Sequence, residues 1–257
     1  MFSTISNIFK VADLRRRILF TLAVLIVYRI GAFIPVPNIN TDILKSIDRT
    51  NDIFFMLNTF SGGALFQFSI FAMGIFPYIT SSIIVQLLTM DVVPKFVQWA
   101  KEGEMGRRKL AQVTRYGTVV LGFIQALGLS IGFNRLYNLD LVVNPSVTTY
   151  LLIAIVLTAG TAFLMWLGEK ITEHGIGNGI SIIIFAGIVA GIPTAIAQIY
   201  LSQLAGSGDA LFLNILKLVL IAVVIVVLVA GVIFVQQGVR KIPVQYAKRI
   251  IGNKMYG

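Results

Sequence analysis

Between Leu218 and Val235 the chain reads LVLIAVVIVVLVAGVIFV, an apolar run with no side chain that could satisfy a stray backbone hydrogen bond. In a bilayer every backbone donor and acceptor must find its partner within the chain, so such a run has to be a helix. The short alternating segments of a membrane barrel are absent. Comparable runs recur from end to end: 57% of the residues are hydrophobic and 12% charged, against about half and about 25% in a soluble domain. The expected class is an all-α membrane protein.

A helical crossing needs about 20 mainly apolar residues. That length places spans at residues 18–35, 75–90, 116–133, 149–167, 180–199 and 211–235, about six in all. Residues 1–17 followed by an apolar run imitate a signal peptide, but the run is long and no small-residue cleavage site follows, so it reads as a retained first span. With the N-terminus in the cytoplasm, 16 of the 21 Lys and Arg residues lie inside, chiefly in 15–17, 95–115 and 240–254. The other five are Arg29, Lys45, Arg49, Arg135 and Lys217, while the acids divide six inside and five outside. Orientation follows positive charge and largely ignores Asp and Glu, so both termini are expected in the cytoplasm. Arg29 falls toward the outer end of the first run, just before GAFIPVP, where snorkelling to the interface is the expected solution.

Residues 62–89, GGALFQFSIFAMGIFPYITSSIIVQLLT, are too long for one compact span and are broken by Gly74 and Pro77. Residues 64–73 are too short to cross, whereas 75–90 nearly suffice. A re-entrant half-helix followed by a span fits, and so does a proline-kinked helix. Irregular backbone at membrane depth is tolerated only inside protein or along a water-filled cavity, so the first reading hints at a pathway. Ile75 and Ile79 lie one helical turn apart, and Ile180 and Ile184 repeat that spacing. Such pairs are ordinarily lipid-facing or core, yet a hydrophobic constriction that excludes water would need them.

KFVQWAKEGEMGRRKLAQVTR carries six Lys or Arg residues with two Glu and reads as a strongly basic cytoplasmic loop. The tail RKIPVQYAKR adds Arg240, Lys241, Lys248 and Arg249. Orientation and anionic lipid explain such clusters in general, and docking of an acidic partner or ribosomal RNA is the sharper alternative. HGIGNGIS follows no strand and lacks a Walker lysine, so its glycines read as a tight turn. Gly128/Gly132 and Gly187/Gly191 have the spacing that lets membrane helices approach closely.

Several chemistries have no residues to carry them. The absence of cysteine removes disulfides, thiolate metal sites and cysteine nucleophiles, and the single His174 leaves no zinc motif. The acids stay at span ends or in loops, which disfavours ion-coupled transport. An intramembrane serine protease would need a GxSxG setting and a histidine base within the membrane. No catalytic, metal or cofactor site is expected.

SGGALFQFSIFAMGIFPYITSSIIVQLL, KEGEMGRRKLAQVTRYGT, FLMWLGEKITEHGIGNGISIIIFAGIVAG and VQYAKR, in this order, resemble the bacterial SecY channel family over essentially the whole chain. The resemblance implies a passive protein-conducting channel of the bacterial cell membrane that moves unfolded secretory chains across and releases hydrophobic segments into lipid. It implies two small membrane subunits, SecE and SecG, and a driving force from the motor ATPase SecA or the ribosome. Of a pseudo-symmetric ten-helix channel, this chain corresponds to the part through the sixth span, so the other half of the pore is expected to come from a further segment. The implied division is 1–17 cytoplasmic segment, 18–199 five-helix half-channel with its plug at 62–73, 200–235 external loop and sixth span, and 236–257 start of the basic cytoplasmic loop.

Residue by residue, the resemblance assigns a pore ring to Ile75, Ile79, Ile180 and Ile184. The short plug helix falls on Gly62, Gly63, Ala64, Leu65, Phe66, Gln67, Phe68, Ser69, Ile70 and Phe71. Thr80, Gln86 and Gln125 become lateral-gate residues, and Arg240, Lys241, Lys248 and Arg249, assisted by Arg107 and Arg108, become the docking surface for SecA and the ribosome. Isoleucines suit such a ring because their contacts are non-directional and hold no water. Two other classes compete: a small-solute transporter with a saturable midplane site, and a scaffold that only anchors a ribosome or an ATPase.

Overall fold

The structure is a computed structural model describing residues 11–40, 58–136, 142–201, 211–239, 249–251 and 254–256. Its helices are α1 (Ala12–Gly31), α2 (Phe76–Leu88), α3 (Pro94–Lys101), α4 (Glu104–Leu136), α5 (Val147–His174), α6 (Gly179–Ile199) and α7 (Leu211–Gln236). A short antiparallel pair, β1 (Arg249–Ile251) and β2 (Lys254–Tyr256), follows. The chain divides into two units, Met1–Thr194 and Ala195–Gly257.

Local chemistry starts and stops these helices. Pro77 and Pro94 sit in the first turns of α2 and α3, where a missing N–H costs nothing. Ser146 caps α5 by accepting from the Thr149 N–H at 3.2 Å. Asn178 Oδ1 accepts from the Ile180 and Ser181 amides at 3.0 and 3.3 Å and so opens α6. Residues 175–178 form the tight turn expected of HGIGNGIS, with Gly177 at φ +64°. That turn docks on α1: Arg17 Nη1 donates to the Gly175 carbonyl at 3.4 Å, and Thr21 Oγ1 accepts from the Ile176 amide at 3.2 Å.

Among the described residues four helices are long and apolar enough to cross a membrane: 104–133 within α4, α5, 179–197 within α6, and 212–236 within α7. The helices at the first two expected spans are not among them, α1 for its charged residues and α2 for its length. α1 begins at Ala12, so its opening turns carry Arg15, Arg16 and Arg17, and it ends at Gly31, before Pro35. α2 has 13 residues, about 20 Å of helix against about 30 Å of hydrocarbon. The basic stretch 95–115 is largely helical instead of a loop, forming α3 and the first turns of α4. On α3, Phe96 stacks on Trp99 at 5.4 Å, and Lys95 and, from α4, Lys109 lie over the Trp99 ring at 5.4 and 5.7 Å.

Within the first unit α4 packs on both α5 and α2, and α1 lies against α5. The α2/α4 contact is polar and close: buried Ser81 donates to the Thr114 carbonyl at 2.9 Å, opposite Gly117, where a methyl group would strike the Ser81 hydroxyl. At one end of the α4/α5 seam, Arg115 Nε pairs with Glu169 at 2.7 Å. The pair is partly solvated, so Glu169→Gln should cost about 1 kcal/mol or less. Thermal unfolding is expected to show that loss, and exchanging the two charges should recover most of it.

Candidate functional site

The most buried stretch of the first unit is neither of the two forms expected for it. A helical turn ends at Phe60, and residues 61–75 are successive turns instead of a half-helix or a kinked span. Gly62, Gly63 and Gly74 take φ of +67°, +88° and +55°, and Phe68 takes +41°, which a continuing right-handed helix cannot accommodate. Side chains replace the missing helical hydrogen bonds. Asn58 Oδ1 accepts from the Phe66 amide at 2.9 Å, and Ser61 Oγ accepts from Leu65 at 3.2 Å. The segment also pairs with residues 34–36: the Val36 amide donates to the Phe68 carbonyl and the Ile70 amide to the Ile34 carbonyl, both at 3.0 Å. Irregular backbone is thereby satisfied inside protein, as an apolar surrounding requires.

Two apolar clusters hold this segment. Leu65, Phe68, Ala72 and Met73 join Ala126, Phe133, Ile153 and Leu157 in one. Ala64, Phe71 and Ile75 join Tyr28, Leu164 and Ile171 in the other. Small residues set the approach: a methyl group on Gly160 would land on the Ile70 carbonyl, and one on Gly31 on the Phe71 ring. Gly187 likewise faces Gly62, with 2.9 Å between the Gly62 Cβ position and the Gly187 Cα. Gly187 thus makes a close contact, to the turn-built segment and not to another helix, whereas no atom of the described residues lies within 4 Å of a methyl added at Gly128, Gly132 or Gly191.

Three of the four predicted ring residues come together. Ile75 precedes α2 and is 4% exposed, and half-buried Ile79 and Ile180 pack on the cluster that contains it. Ile180 lies against Gly168 of α5, with its Cδ1 2.6 Å from the position of an added methyl. Ile184, also half-buried, follows one turn later on α6. Of the gate candidates, Thr80 donates to its own helix at the Phe76 carbonyl (3.0 Å), Gln86 is exposed and Gln125 is half-buried on α4. Ser81, absent from the candidates, is the α2 hydroxyl that bonds α4.

Comparison with known sequences places this arrangement. A family model described as SecY matches residues 69–257. The chain belongs to the SecY family. It is 65% identical over 257 residues to the protein translocase subunit SecY of Halalkalibacterium halodurans, covering 100% of this chain and 59% of that protein. To its counterparts in Bacillus licheniformis and Bacillus subtilis it is 67% and 64% identical, covering 96% of this chain and 57% of each. The chain therefore spans just over half the length of these SecY relatives. Among solved structures, one titled as a protein conducting channel and one of Sec61 in a canine ribosome-channel complex each match with a TM-score of 0.50 at 21% identity. Each match covers 74% of this chain and 38% of the other, and the likeness is one of fold.

On the basic surface of this SecY-family chain, Arg107 and Arg108 are exposed, and Arg108 pairs with Glu104 at 2.7 Å. Arg249 begins β1, so the tail is not wholly the loop expected, while Arg240, Lys241 and Lys248 lie outside the described residues. Two residues that sequence reasoning did not place at the site hold its first turn. Tyr28 Oη donates to the Ser61 carbonyl at 3.1 Å, and Arg29 Nη1 donates to the Gly62 carbonyl at 2.7 Å. The available signal was an arginine inside an apolar run; snorkelling alone does not account for its bond to Gly62.

Proposed function

We propose that this chain forms the first half of a protein-conducting channel in the bacterial plasma membrane. It would pass unfolded polypeptides across the membrane and hydrophobic segments sideways into lipid. The observation that carries the reading is the buried, turn-built segment 61–74 beside Ile75, Ile79 and Ile180 in a SecY-family chain. A helix bundle built only to anchor would have no need of irregular backbone at its centre. Residues 62–73 of the segment act as the plug, and Ile75, Ile79, Ile180 and Ile184 supply this half's share of a ring that closes around a passing chain. Thr80, Gln86 and Gln125 line the gate wall formed by α2 and α4.

The wall is passive and performs no chemistry of its own. Force comes from SecA or the ribosome, docking on Arg107, Arg108 and the basic tail, with SecE, SecG and the remaining channel half completing the pore. Both termini of this portion lie in the cytoplasm, where anionic lipid also meets its basic residues.

Single cysteines at Ile79 and Ile184 of the complete channel should crosslink to a stalled secretory chain, with none at Val226 of α7. Crosslinks at both positions support the pore. Silence at both while the substrate is demonstrably engaged removes the ring assignment.

A further inference from the structure

Tyr28 and Arg29 are consecutive residues of α1, yet they grip consecutive carbonyls of another segment, those of Ser61 and Gly62. Tyr28 and Ser61 are each 2% exposed, and the Arg29 guanidinium also lies 4.9 Å from the centre of the Phe33 ring. An arginine in an apolar span is costly unless its donors are used, and the bond to Gly62 gives one of its five N–H donors a partner while satisfying that carbonyl. The grip falls where α6 meets the segment: the Tyr28 hydroxyl is 3.0 Å from the Gly62 Cβ position and 3.1 Å from that of Gly187. Glycines with positive φ stand at both ends, Gly62 and Gly63 at one and Gly74 at the other. These are positions where a backbone can change direction without a side-chain penalty.

We propose that Tyr28 and Arg29 are the latch that keeps segment 61–74 seated against α6, and that opening requires their two hydrogen bonds to break. The assignment rests on reading that segment as the channel plug. Arg29 supplies the larger share, because a charged donor forms the stronger bond, and Tyr28 fixes the register of the two carbonyls. Both act as positioning residues whose effect on transport passes through the segment they hold.

The test uses the complete channel with a single reporter cysteine. Ala64→Cys places it on the segment at a fully buried position, and Ala154→Cys places a control on α5 at another. Reaction with a water-soluble maleimide is followed in membranes. Arg29→Met should raise the labelling rate at position 64 about tenfold or more, as expected for loss of one charged hydrogen bond. Tyr28→Phe should raise it a few-fold, Arg29→Lys should recover most of the protection, and position 154 should stay unlabelled throughout. Should Arg29→Met fail to assemble, Arg29→Gln and Tyr28→Phe carry the same comparison.

An unchanged rate at position 64 in folded variants overturns the latch. So does an equal rise at 64 and 154, which reports general loosening. Labelling needs no translocating chain, so it is read independently of the crosslinks at Ile79 and Ile184. Protection that depends on Arg29 without those crosslinks would keep the latch and remove the ring assignment.

Discussion

Gly160→Val is expected to prevent segment 61–75 from seating and to cost the folded channel about 3 kcal/mol or more, the upper range for forcing atoms into a packed site. The first added carbon would land on the Ile70 carbonyl oxygen, with the Phe71 ring next at 3.4 Å. A flexible side chain could rotate aside, but this obstacle is backbone, fixed by the bond from the Ile70 amide to Ile34 at 3.0 Å. Gly128→Ala provides the contrast, because no atom of the described residues lies within 4 Å of its added carbon. It should gain up to about 1 kcal/mol from helix propensity alone. Thermal unfolding of the solubilised complete channel separates the two, and equal midpoints for Gly160→Val and the parent would mean that α5 does not touch the segment as described.

Phe68→Ala is expected to cost about 3 kcal/mol, near the lower end for removing a buried phenylalanine. Lipid is as apolar as the protein interior, so part of the usual transfer term is missing and the loss is mainly of packing. Phe68 is 0% exposed and meets Phe133 edge-on at 6.0 Å. Its φ of +41° adds a second, opposite effect. Alanine inherits that strained backbone whereas glycine does not, so Phe68→Gly should be less damaging than Phe68→Ala by about 0.5–1 kcal/mol. Chemical or thermal unfolding of the two variants gives the order directly. The reverse order would show that the backbone at position 68 relaxes to negative φ.

Much of the fold is legible in the residues because one physical requirement dominates it. Apolar stretches near 149–167, 180–199 and 211–235 become α5, α6 and α7, since a backbone surrounded by apolar matter must bond to itself. Lengths are read less well where polar residues join a helix. α4 starts at Glu104, well before its apolar part, and residues 95–101 are helix although the sequence reads there as part of a basic loop. Helices end where capping and tertiary contacts dictate, and hydropathy does not encode either.

Segment 61–75 lies at the limit of sequence reading. Gly74 and Pro77 announce an interruption, and the resemblance to SecY marks the segment as important, but the form of the interruption depends on partners distant in sequence. Ile34 and Val36 pair with its backbone, Tyr28 and Arg29 bond its carbonyls, and Gly160 and Gly187 make room for it. Periodicity reports only the faces of regular elements, and this segment has none. Likewise Ile75 and Ile79 share a helix face by spacing alone, whereas only packing brings Ile180 into their cluster. The sequence by itself determined a membrane-helical chain of the SecY family, because hydropathy and long motifs are properties of local residue order. The tertiary structure alone decided which arginine is held, which glycines are in contact and how the interrupted segment is satisfied, because each depends on atoms that meet only after the helices have packed.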